Sequence, residues 1–144
     1  MRRERVFLDT NILVYADDLD SGKKHLIAQK IVEQALASET DVISTQVLQE
    51  FFVTVTKKLR VAPEHARAKI QVLAALTVVR PTPDDILGAI DAHRLYHLSF
   101  WDALVLQCAA VSGCSRLLTE DMQHGQQILG VRIENPFLSG RSSK

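Results

Sequence analysis

The sequence contains no apolar run approaching the roughly 20 residues that a helix needs to cross a bilayer. No signal-peptide pattern follows the basic start Met1-Arg2-Arg3-Glu4-Arg5, and neither an internal repeat nor a low-complexity stretch interrupts it. The expectation is a cytoplasmic protein without membrane contact. Cysteine is scarce: only Cys108 and Cys114 occur. Both fall on one predicted helix, on roughly opposite faces, which disfavours a bridge or a paired metal site. They read as reduced thiols in or near the core. An excess of either charge is also missing, since Lys plus Arg and Asp plus Glu number 17 each. No global basic field draws in a polyanion. Contact with phosphates must therefore come from a local cluster or from bound metal ions.

What is present is an ordinary globular mixture. Hydrophobic residues make up 47% and charged residues 24% of 144 residues, enough for one domain with its own core. That domain is expected over residues 1–138, followed by a polar, loose tail, Ser139-Gly140-Arg141-Ser142-Ser143-Lys144. The stretch that organises the rest is Val6-Phe7-Leu8-Asp9-Thr10-Asn11-Ile12-Leu13. β-Favouring apolar residues end there in an acid, a hydroxyl and an amide, and a helical pattern begins. Asp9 suits a helix cap. It also suits a ligand site, because ligands of open α/β sheets bind at the carboxyl ends of the strands.

Strand and helix patterns then alternate. Strands are expected at Arg5–Asp9, Asp41–Ile43, Thr77–Val79, Arg116–Leu118 and Val131–Ile133. Helical patterns cover Asn11–Ala16, Lys23–Ala37, Ser44 to about Leu59, Pro63 to about Leu76, a segment opened by Thr82-Pro83-Asp84-Asp85, Ser99 to Val111, and a short piece around Met122 to Leu129. Such alternation implies a parallel sheet with helices on both faces. The loop acids Asp17, Asp18 and Asp20 read as solvated. His93 and His97 share a helix face, but nothing at a matching spacing completes a zinc motif.

Four acids stand out. Asp9 and Asp121 follow strand tips. Asp102 fits a capping box with Ser99, yet it opens a helix that is apolar almost all round and is therefore buried. Glu50 alone reads as a solvated helix residue. If the four meet, like charges at close range require compensation. A hard cation such as Mg²⁺ or Mn²⁺ supplies it through oxygen ligands. The basic group Lys57, Lys58 and Arg60 either touches phosphates or is a solvated helix end.

Four segments carry a resemblance: Leu8-Asp9-Thr10-Asn11-Ile12-Leu13, Gln49-Glu50-Phe51, Leu98-Ser99-Phe100-Trp101-Asp102-Ala103-Leu104 and Leu117-Leu118-Thr119-Glu120-Asp121-Met122. Together, in this order, they resemble the PIN-domain family, specifically its VapC-type toxins. The resemblance runs from Val6 to about Phe137. It implies an α/β fold with a central five-stranded parallel sheet, and a site that binds one or two Mg²⁺ or Mn²⁺ ions. It implies an endoribonuclease that hydrolyses RNA as the toxin of a type II toxin–antitoxin pair, with a small VapB-type antitoxin and a homodimeric state. It carries over Asp9, Glu50, Asp102 and Asp121 as catalytic, metal-holding acids, with Asn11 and Thr119 in support. Glu120 is an alternative to Asp121. A PIN nuclease of housekeeping RNA processing and a PIN-like module that binds without cutting are the competing readings.

Overall fold

The computed structural model describes residues 4–138. The expected tail lies outside the described residues, as does most of the basic start. The elements run β1 (Val6–Leu8), α1 (Thr10–Asp17), α2 (Lys23–Ser38), β2 (Val42–Ser44), α3 (Thr45–Lys57), α4 (Pro63–Leu73), β3 (Thr77–Val79), α5 (Pro83–Tyr96), α6 (Phe100–Val111), β4 (Arg116–Leu118), β5 (Gln127–Ile128) and β6 (Val131–Glu134).

The strands form one sheet in the order β3-β2-β1-β4-β6-β5. Every pairing is parallel except that of β5 with β6. The strands of the centre are short apolar runs buried on both faces, such as Val6-Phe7-Leu8 and Val42-Ile43-Ser44, as expected for parallel strands covered by helices. α6 is the buried helix anticipated from its sequence: Ala103, Leu104, Val105, Leu106, Cys108 and Ala109 are all buried.

The sheet has six strands rather than five, and one pair is antiparallel. The difference arises in the stretch expected to be helical from Met122 to Leu129. Gly125 takes a positive φ of 88°, and Leu129 and Gly130 take φ of 56° and 79°. Two consecutive positive φ values are the signature of a tight two-residue hairpin turn. Ile128 therefore folds back against Val131, and the helix never forms.

The cysteines also differ in placement. Gly113, at φ 75°, follows the end of α6, so Cys114 lies beyond that helix and not on it. Both thiols are free and buried, and burial pushes both pKa values up to about 11. Asp17 is not solvated: it closes α1 and pairs with Lys69 Nζ at 2.8 Å. His97 takes the left-handed conformation after α5, and His93 Nδ1 bonds the Leu98 carbonyl oxygen, so both serve the helix end. Among the described residues no helix is long and apolar enough to cross a membrane.

Candidate active site

The chain moves from β1 to one side of the sheet for β2 and β3, then returns to place β4 on the other side of β1. The carboxyl ends of β1 and β4 thus flank a topological switch point, where α/β sheets open a crevice for ligands. Leu8 pairs with Leu118 in register, and the Asp9 N–H donates to the Leu118 carbonyl at 3.1 Å. Asp9 and Thr119 are therefore the first residues beyond two neighbouring strand ends, both turned into the same crevice mouth.

Asp9 is 5% exposed. Its Oδ1 accepts from the Thr10 backbone N–H at 2.8 Å, and its Oδ2 accepts from Thr119 Oγ1 at 2.8 Å. Burial raises its pKa from the ordinary 3.8 to about 6. The two hydrogen bonds oppose that rise, whereas the charges of Asp121 and Glu50 add to it. A carboxylate placed this way is both fixed in orientation and short of positive charge.

The other predicted residues gather around it. Asn11 Nδ2 donates to Thr119 Oγ1 at 3.1 Å and to Asp121 Oδ2 at 3.0 Å. The Asp121 N–H donates to Thr119 Oγ1 at 3.0 Å. Thr119 is fully buried and ties Asp9, Asn11 and Asp121 into one network. Glu50 is half-buried on the flank of the α3 face that carries Val47, Phe51 and Val55. Its Oε1 accepts from Thr10 Oγ1 at 2.7 Å, and its Oε2 accepts from Gln46 Nε2 at 3.1 Å. It is not the surface glutamate that its helix position alone suggested.

Asp102 stands in the first turn of α6, where its backbone N–H donates to Ser99 Oγ at 3.0 Å. The reciprocal capping box closes instead at Thr82 and Asp85. The Asp102 carboxyl is half-buried, and burial raises its pKa. Asp121 and Glu50 raise it further, and Ser99 acts against them. All four acids are thus electrostatically coupled, two by two, across the crevice.

Glu120 points elsewhere. Its carboxylate is taken by Tyr15 Oη at 2.7 Å and Lys24 Nζ at 2.8 Å. Beside the acids runs an open groove of about 570 Å³, whose lining includes Asn11, Tyr15, Glu50, Lys58 and Asp121. Of the basic trio, Lys58 lines this groove, and Lys57 and Arg60 do not.

The donor set suits a hard divalent cation: every candidate ligand is an oxygen, and none of the four acids has an ion-pair partner among the described residues. As the side chains stand, no three His, Cys, Asp or Glu among the described residues are drawn tightly enough together to hold an ion. Of the four acids Asp9 is buried, Glu50 and Asp102 are half-buried and Asp121 is exposed. Sequence reasoning missed Thr10 and Gln46 as holders of Glu50. Gln46 carried a signal, lying one helical turn before Glu50 on the same face.

The PIN-domain family profile matches residues 6–126. The chain belongs to the PIN-domain family. PIN nucleases generally use divalent metal ions. No curated protein matches the sequence. Solved structures share the fold. A toxin–antitoxin complex from Klebsiella pneumoniae aligns with a TM-score of 0.67 at 22% identity, over 92% of this chain and 98% of that one. A sarcin-ricin-loop-cleaving VapC toxin from Mycobacterium tuberculosis aligns at 0.65 and 20% identity, over 78% and 86%. A VapBC complex from Rickettsia felis bound to a fragment of its promoter DNA aligns at 0.66 and 20% identity, over 91% and 98%.

Proposed function

We propose that the chain is an Mg²⁺- or Mn²⁺-dependent endoribonuclease and the toxin of a type II toxin–antitoxin pair. The observation that carries the nuclease reading is the buried Asp9, oriented by two hydrogen bonds and coupled to Asp121 and Glu50 with no cation among them. The toxin reading rests on the similar solved structures, which are a VapC toxin and toxin–antitoxin complexes.

Asp9 and Asp102 would hold the principal ion, and Asp121 would complete the cluster or take a second one. Such an ion supplies the charge that activates water and stabilises the leaving oxygen of a phosphodiester. Glu50, clamped by Thr10 and Gln46, orients the attacking water and accepts its proton. Asn11 and Thr119 keep Asp9 and Asp121 in place. Lys58, Lys57 and Arg60 lie along the RNA path, Lys58 in the groove and the other two beyond it. The protein partner is a small antitoxin whose tail covers the acidic groove. The exposed apolar residues Ile86, Leu87 and Ile90 of α5 suit the interface of a homodimer.

Purified protein incubated with RNA and Mn²⁺ tests the activity. Cleavage that EDTA abolishes, and that Asp9→Asn lacks, is the expected result. A folded wild type that leaves RNA intact at every Mn²⁺ concentration overturns the nuclease reading. Growth arrest on expression, relieved by the neighbouring gene, tests the toxin reading. A soluble chain that is harmless alone would favour housekeeping RNA processing.

A further inference from the structure

We propose that Tyr15 and Lys24 are positioning residues of the acidic site: they hold Glu120 out of it and so fix the arm that carries Asp121. The inference rests on the metal-dependent nuclease reading above. Three consecutive residues follow β4, and the Asn11 side chain touches all three. Thr119 is held by Asp9 and Asn11, and Asp121 by Asn11. Glu120 is the middle one. Its Oε2 accepts from Tyr15 Oη at 2.7 Å and its Oε1 from Lys24 Nζ at 2.8 Å, while its backbone N–H donates to Asn11 Oδ1 at 3.4 Å. Asn11 and Tyr15 are one turn apart on α1 and take this segment from two sides.

The clamp itself is braced. The Tyr15 ring meets Phe137 edge to face, with centroids 5.1 Å apart. Lys24 Nζ lies 4.9 Å from the Tyr15 centroid and 5.7 Å from that of Phe137. An ion pair as exposed as Lys24–Glu120 contributes little by Coulomb attraction alone. Here it is one part of a four-residue contact that sets a direction. Without it, Glu120 is a fifth carboxylate, next in sequence to Asp121, free to enter the cluster. A displaced or added ligand changes both where a cation sits and how tightly it is held.

The test uses calorimetric Mn²⁺ titration of the full chain without RNA, with melting in EDTA and RNA cleavage measured beside it. Tyr15→Phe keeps the ring and all charges but loses the hydroxyl, so Mn²⁺ binding should weaken about tenfold. Lys24→Met releases Glu120 toward the ion. Mn²⁺ binding should tighten while cleavage at saturating Mn²⁺ falls, and Lys24→Met with Glu120→Gln should return the affinity to that of wild type. If both single variants bind Mn²⁺ like wild type and differ only in melting temperature, the cluster is scaffold and the inference fails. A wild type that neither binds Mn²⁺ nor cleaves RNA sinks the nuclease reading first, and this inference with it.

Discussion

Replacing Asp9 by Asn should make the metal-free protein more stable at neutral pH, although it removes the centre of the site. The raised pKa of Asp9 means that its stabilising contribution is fully present below the unfolded value of 3.8 and is lost as pH rises through about 6. At 1.36 kcal/mol per pH unit, the gap between 3.8 and about 6 makes ionised Asp9 cost the empty fold about 3 kcal/mol at pH 7.5. Asn carries no charge and removes that cost. It has a single acceptor oxygen, so one of the Thr10 N–H and Thr119 O–H donors loses its partner, at about 1–2 kcal/mol. The net gain of ~1–2 kcal/mol corresponds to a melting temperature roughly 3–8 °C higher for a domain of this size.

The assay is a set of thermal melts in EDTA at pH 7.5 and pH 4.5, repeated at pH 7.5 with excess Mn²⁺. At pH 4.5 folded Asp9 is protonated and most of its penalty is gone, so the advantage of Asn should vanish or reverse. With Mn²⁺ the ordering should invert, because an ion at one hundred times its dissociation constant stabilises the wild-type fold by about 2.7 kcal/mol. Were Asp9 only a cap for α1, Asn would serve nearly as well. The two proteins would then melt together at both pH values, with no response to Mn²⁺, and the reasoning from a buried, uncompensated charge would be refuted.

Further outcomes follow from the same structure. Glu50→Gln should reduce RNA cleavage by about a hundredfold or more with an intact fold, since an amide oxygen still accepts from Thr10; single-turnover cleavage and circular dichroism check the two halves. Leu106→Ala, in the fully buried face of α6, should cost about 2–5 kcal/mol in urea unfolding. Glu39 ends α2 with a left-handed φ of 62°, so Glu39→Gly should stabilise by about 0.5–1 kcal/mol, visible as a higher urea midpoint at unchanged slope.

The parts of the fold that could be read in the sequence are those fixed locally. Apolar strands, the Thr82 and Ser99 caps and the apolar run of α6 depend on residues a few positions apart, and each stands where its pattern placed it. β5 escaped because two residues are too few to show an alternation, and the positive φ at Leu129 is not announced by leucine. The four acids could be named from the sequence, but their surroundings could not. Glu50 looks solvated along α3, but Gln46 of the same helix holds one of its oxygens and Thr10, reached through the packing of α1 on α3, holds the other. Glu120 and Asp121 are neighbours with the same charge. What separates them is Lys24, a residue of α2 that no motif contains.

Charge compensation shows why the crevice stands apart from the rest of a net-neutral protein. Several carboxylates that leave water elsewhere are accompanied by a cation: Asp17 by Lys69, Glu120 by Lys24, Glu134 by Arg116. Half-buried Asp18, Asp41 and Asp85 have no such partner among the described residues, and burial raises the pKa of Asp41. At the switch point between β1 and β4, buried Asp9 and half-buried Glu50 and Asp102 gather without a cation, with exposed Asp121 beside them. Their nearest partners are neutral: Thr10, Gln46, Asn11, Thr119 and Ser99. Neutral donors orient a carboxylate without cancelling its charge, so the site keeps its attraction for a cation while its geometry is held. An Arg in place of Thr119 would satisfy Asp9 far better and would leave nothing for an ion to do.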